Sequence, residues 1–131
     1  MTGAATAERW HAVGPVEMPA AGEWRAVVCV PAGSDWFAGH FPGDPILPGI
    51  AQLGMVGEVA RRAIGEQMRL SGFSRIKFKK IVRPGDELTV TLTRRPELPG
   101  VLAFRIESGG ELACSGNLST EQADENRRLG P

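Results

Sequence analysis

Apolar residues recur along this chain at two different periods. From Pro48 to about Glu66 the spacing is helical: Ile50, Leu53, Val56, Ala60, Ala63 and Ile64 share a stripe, and Met55 and Val59 add apolar surface beside it. This predicts one long, largely buried helix whose last turn, with Arg61, Arg62, Glu66 and Gln67, is wetter. Elsewhere the period is two. In residues 23–31, Trp24, Ala26, Val28 and Val30 alternate with Arg25, Val27 and Cys29, which predicts a strand buried largely on both faces. After a short break at Ser71-Gly72, strands are expected over residues 74–82, 87–94, 101–107 and 111–119. Leu88, Val90 and Leu92 share a face in one of these, Leu102, Phe104 and Ile106 in the next, and Leu112, Cys114 and Leu118 in the last. Gly109-Gly110 is placed to make the hairpin between the final two. Residues 9–18, with Gly14-Pro15 in the middle, suit an irregular strand or a docking arm.

Antiparallel strands following one buried helix predict an α+β domain with its sheet curled around that helix. The 131 residues suffice for one such domain and core. Its body is expected over about residues 9–119, between a small polar N-terminal tail, 1–8, and a charged C-terminal tail, 120–131.

The chain's chemistry concentrates ahead of the helix. Residues 39–49 pack three prolines and three glycines around His40, a composition that cannot be helical because each proline fixes its own φ and restricts the residue before it. Pro48 then suits the first helical turn, where its missing N–H costs nothing. The N–H groups of Gly49 and Ile50 have no intrahelical partner and stand at the positive end of the helix dipole. Gly49, lacking a side chain, lets a partly negative oxygen approach. A rigid loop delivering an imidazole beside such amides suits a general acid/base next to a polarised carbonyl. A histidine in such a loop can also serve only to hold backbone.

Composition narrows the classes. Lys+Arg and Asp+Glu stand at 15 each, so neither nucleic acid nor an anionic membrane surface is indicated. Cys29 and Cys114 lie far apart in apolar strand-like runs, a setting for buried free thiols, and neither has a second Cys or His at metal-ligand spacing. No run is long and apolar enough to span a bilayer, and no leader pattern opens the chain, so a cytoplasmic protein is expected.

His40-Phe41-Pro42-Gly43-Asp44-Pro45-Ile46-Leu47-Pro48-Gly49 resembles the signature of the 3-hydroxyacyl-[acyl carrier protein] dehydratases, of both FabZ and FabA types, and residues 76–88 are similar to the segment that follows their central helix. The resemblance runs from about residue 23 to 119. It implies the hotdog fold, a homodimer, no cofactor, and a thioester substrate on acyl carrier protein or CoA that is dehydrated to a trans-2-enoyl thioester. It also implies that His40 removes the proton next to the thioester carbonyl and that the Gly49 N–H polarises that carbonyl. The family's carboxylic acid, which helps the 3-hydroxyl leave, falls fourteen residues after the histidine, and here that residue is Gly54. Glu58, one turn on, is the nearest carboxylate on that face and the candidate replacement, although the shift is about 5.4 Å along the axis. Its plainer role is a charge paired with Arg61 or Arg62. Phe37, Phe41 and Pro48 are candidate walls of an acyl channel, although the plainer role of Phe37 is to anchor the loop; Gly54 suits either a close packing contact or room for a ligand, and Gln52 is a polar group in an apolar helix that can meet ligand, water or backbone. Asp44 reads as a loop-ordering residue. Lys77, Lys79 and Lys80 form a basic cluster that suits an acidic carrier protein or its phosphopantetheine, or else a solvated sheet face. Two rival readings share the pocket: an acyl thioesterase, and a non-catalytic acyl-thioester binding subunit that has lost its acid at Gly54.

Overall fold

The computed structural model of the protein describes residues 11–31, 33–34, 47–83 and 85–122. The strands are β1 (Ala12–Val13), β2 (Glu17–Ala20), β3 (Glu23–Cys29), β4 (Met68–Phe78), β5 (Glu87–Arg94), β6 (Val101–Ser108) and β7 (Glu111–Gln122), and the helix α1 is Gly49–Ile64. They form one antiparallel sheet in the order β1-β3-β5-β6-β7-β4, with β2 also paired to β3. The sheet curls strongly around α1, the α+β arrangement expected from the sequence.

The alternation in β5 and β6 is followed closely. Leu88, Val90 and Leu92 are fully buried, and Leu102, Phe104 and Ile106 nearly so. The two strands pair from Leu88↔Ser108 to Arg94↔Leu102 without a break. Gly109 and Gly110 both have positive φ, 59° and 80°, the backbone that lets a two-residue hairpin match the twist of its strands.

Several expectations need correction. In β3 only one face is buried: Trp24, Ala26 and Val28 point inward while Arg25, Val27 and Cys29 are exposed. Cys29 is therefore a surface thiol, and only Cys114 is buried, where desolvation pushes its pKa up to about 11. The buried face of α1 is carried by Ala51, Gln52, Met55, Val56, Gly57, Val59 and Ala60, whereas Ile50 is 73 % exposed and Leu53 half-buried. The strand expected at 74–82 begins instead at Met68 and ends at Phe78, running straight through Ser71-Gly72. What reads as a turn there is a bulge, since Leu70 pairs with Thr120 but Gly72 with Ser119, leaving Ser71 as the extra residue. In β7 the pairing steps from Cys114 to Leu112 opposite Ile106 and Glu107, so Ala113 is the added residue. That slip buries Ala113 beside Cys114 and leaves Leu112 half-buried, and the strand continues to Gln122, past the expected end at 119.

A second bulge in β4 opposes Arg75 and Ile76 to Gly116, and puts Arg75 at φ 53°. Gly116 is required there. A Cβ would lie 2.8 and 2.9 Å from the ring of Phe104 and 3.0 Å from the Ser74 carbonyl oxygen, and Phe104 is itself only 1 % exposed. Gly116→Ala is expected to lower stability by about 1–3 kcal/mol through overpacking. Thermal unfolding checks it; an unchanged Tm would mean that the sheet yields at this point.

Candidate active site

Pro48 is the N-cap of α1, with φ −62° and ψ 148°, and not its first helical residue. Its carbonyl accepts from both Ala51 N–H (3.1 Å) and Gln52 N–H (3.3 Å). Gly49 and Ile50 N–H find no such partner among the described residues, so two donors remain at the positive end of a sixteen-residue helix. Leu47 N–H donates to Val82 O at 2.8 Å, which ties the approach to the helix to the segment after β4.

Phe78, the last residue of β4, stands against this helix start. Its ring is so close to Gly49 that a Cβ there would fall 2.7 Å from Cζ. The ring is nonetheless 52 % exposed, and Ile50 and Ile81 expose 73 % and 53 % nearby in sequence. Phe78 is thus an apolar wall beside the Gly49 amide that sequence reasoning did not single out. Its signal was present, since alternation with Lys77 and Lys79 sends it to the opposite side of its strand.

Gly54 is exposed, and a Cβ built on it meets nothing within 4 Å. One turn further, Glu58 is engaged at both oxygens: His11 Nε2 lies 2.8 Å from Oε1, and Arg62 donates to Oε2 at 2.9 Å. The pairing with Arg62 was anticipated, whereas the one with His11 spans 47 residues and was not. Arg62 also reaches Val13 O at 3.4 Å, so this cluster fastens β1 to the helix.

Gln52 is 3 % exposed, and its Oε1 has no hydrogen-bond partner among the described residues. A buried amide oxygen left so costs about 1–3 kcal/mol, and such orphans are few in native folds.

The basic cluster is partly committed. Lys80 bridges Glu111 Oε1 at 3.0 Å and Ser108 O at 3.2 Å. Lys77 and Lys79 are exposed and make no ion pair among the described residues. His40, Phe41, Phe37 and Asp44 lie outside the described residues.

A helix start with two open amides lies inside a curled sheet, and in the sequence it directly follows the Pro/Gly-rich stretch that holds His40. The model of the ApeI-like family, described as ApeI dehydratase, covers residues 17–117. This chain belongs to that family of dehydratases, and its fold is the hotdog fold. Among sequences, it is 37 % identical over 93 residues to the 3-hydroxyacyl-[acyl-carrier-protein] dehydratase FabZ of Oenococcus oeni, covering 64 % of this chain and 67 % of that one. It is 33 % identical over 108 residues to the FabZ of Haemophilus influenzae, covering 74 % and 73 %. Among structures, the dehydratase heterocomplex ApeI:P of Xenorhabdus doucetiae superposes with a TM-score of 0.73 at 28 % identity, over 83 % of this chain and 96 % of that one. The R-hydratase PhaJ1 of Pseudomonas aeruginosa, with a TM-score of 0.63 and 15 % identity over 88 % and 90 %, shares the fold.

Proposed function

We propose that this dehydratase converts a 3-hydroxyacyl thioester, carried on acyl carrier protein, into the trans-2-enoyl thioester and water. The observation that carries the reading is the pair of open N–H groups at Gly49 and Ile50, directly after the histidine loop. The thioester oxygen accepts from Gly49 N–H, which stabilises the negative charge that builds on it as the neighbouring carbon loses its proton. His40 takes that proton. The C3–O bond then breaks, the double bond forms between C2 and C3, and the hydroxyl leaves as water after receiving a proton. Phe78, Phe41, Phe37 and Pro48 are the apolar walls assigned to the acyl chain.

Glu58 is assigned the acid role because it is the one carboxylate on α1. Helical side chains lean toward the N-terminus, which inclines it over the open space at Gly54. The assembly in this reading is a homodimer, with each active site drawing on both chains. In support, β4 is the last strand of the sheet and pairs only with β7 among the described residues, leaving one long edge for a second copy. Lys77 and Lys79 face the acidic carrier, and the enzyme works in the cytoplasm with it.

One observation favours a second reading. Both oxygens of Glu58 are already held by His11 and Arg62. If they stay held during reaction, the acid comes from an unlike partner, an arrangement for which the Xenorhabdus heterocomplex is a precedent of assembly. Incubation with a 3-hydroxyacyl thioester, following enoyl absorbance and free thiol together, separates the reactions. Dehydration gives enoyl product with no thiol, and thiol without enoyl would establish a thioesterase instead.

A further inference from the structure

The buried side-chain oxygen of Gln52, without a hydrogen-bond partner among the described residues, is open to a donor on a bound molecule. Gln52 is three residues after Gly49, on the adjoining turn of the same side of α1, and it belongs to the buried face of that helix. Because helical side chains tilt back toward the N-terminus, its amide is carried over the first turn, toward the Gly49 N–H. The residue is 3 % exposed and its Oε1 is unpartnered among the described residues. An acceptor held there without a partner is a poor choice for folding and a good one for reading a donor on a bound molecule.

We infer that Gln52 is a specificity-determining residue whose Oε1 accepts a hydrogen bond from the 3-hydroxyl of the acyl substrate. The inference rests on the dehydratase reading above. With the thioester oxygen on Gly49 N–H, the hydroxyl is only two carbons along the acyl chain and falls beside the same helical turn. The contact strengthens as the reaction proceeds, because a hydroxyl gaining a proton becomes a stronger donor. Its benefit is therefore greater in the transition state than in the bound substrate. Gln52 moves no proton itself.

The test pairs two ligands with two variants. In a His40→Ala background, which leaves the substrate unreacted, binding of 3-hydroxybutyryl pantetheine and of butyryl pantetheine is measured for the Gln52 protein and for Gln52→Met. Loss of one neutral hydrogen bond predicts about a 5–10-fold weaker affinity for the hydroxyacyl ligand and less than about a twofold change for the saturated one. In the chain with His40, Gln52→Met lowers kcat by about tenfold or more with a smaller change in KM, and Gln52→Asn, which keeps a shortened amide, is intermediate. Thermal unfolding of Gln52→Met shows a Tm no lower than before, because the substitution removes a buried polar group that has no partner.

Equal weakening for both ligands would overturn the inference, since it would place Gln52 on the pantetheine arm. Unchanged affinity for both would also overturn it. Discrimination by Gln52 in a protein that forms no enoyl product would sustain the hydroxyl contact and sink the dehydratase reading instead.

Discussion

His40→Ala is expected to reduce formation of enoyl thioester by about 10²–10⁴-fold, the range that a positioned general base contributes. The loss falls on kcat and not on KM, because the imidazole is assigned to the proton beside the carbonyl and not to holding the acyl chain. Binding of a saturated acyl pantetheine should be unchanged within about twofold. Steady-state kinetics with a 3-hydroxyacyl pantetheine, together with that binding measurement, check the assignment. A variant that keeps wild-type turnover would show that His40 only orders its loop.

The second large effect concerns the missing acid. Glu58→Gln is expected to lower turnover by about 10²-fold or more if Glu58 supplies the proton to the leaving hydroxyl. Gly54→Glu in that background is expected to restore a large part of it, because the position has open space and a carboxylate there starts one turn nearer the helix N-terminus. The added residue also replaces a mid-helix glycine, so the double variant should be more stable than Glu58→Gln, by up to about 1 kcal/mol. Breaking the pairs to His11, whose side chain is 13 % exposed, and to Arg62, which is 49 % exposed, costs stability too, by about 1 kcal/mol. Tm and turnover of the three proteins, the parent chain, Glu58→Gln and the double variant, separate the two effects. If Glu58→Gln leaves turnover intact while lowering Tm, the carboxylate is only a fastener for β1.

Much of the fold was legible in the sequence because β5, β6 and α1 are regular. Their alternation and helical spacing survive unbroken, and Pro48 marks the helix start within one residue. The strands with bulges were not legible. In β4 the extra residues at Ser71 and at Arg75–Ile76 break the period of two, and Ser71-Gly72 looks like a turn because bulges and turns favour the same residues. The buried face of α1 was misplaced for a different reason. Apolarity alone pointed to Ile50 and Leu53, yet it is the polar Gln52 that turns inward and Ile50 that stays out.

The candidate site divides in the same way. The orphan amides of Gly49 and Ile50 follow from helix geometry, and the space at Gly54 from the missing side chain, so both could be read beforehand. The contact of His11 with Glu58 could not, because it joins an irregular N-terminal strand to the middle of the helix across 47 residues. Nor could the stacking of Phe78 on Gly49, which depends on where β4 ends. Both lie where long-range packing, and not local pattern, sets the neighbours.

The central claim is that this chain by itself holds a complete dehydratase site, despite Gly54. The measurement that tests it most directly is mass analysis of the acyl group after the purified chain, free of any second protein, is incubated with 3-hydroxyacyl carrier protein. The account predicts loss of one water from the acyl group, with the thioester intact. An unchanged hydroxyacyl group under conditions where the ligand demonstrably binds would contradict it.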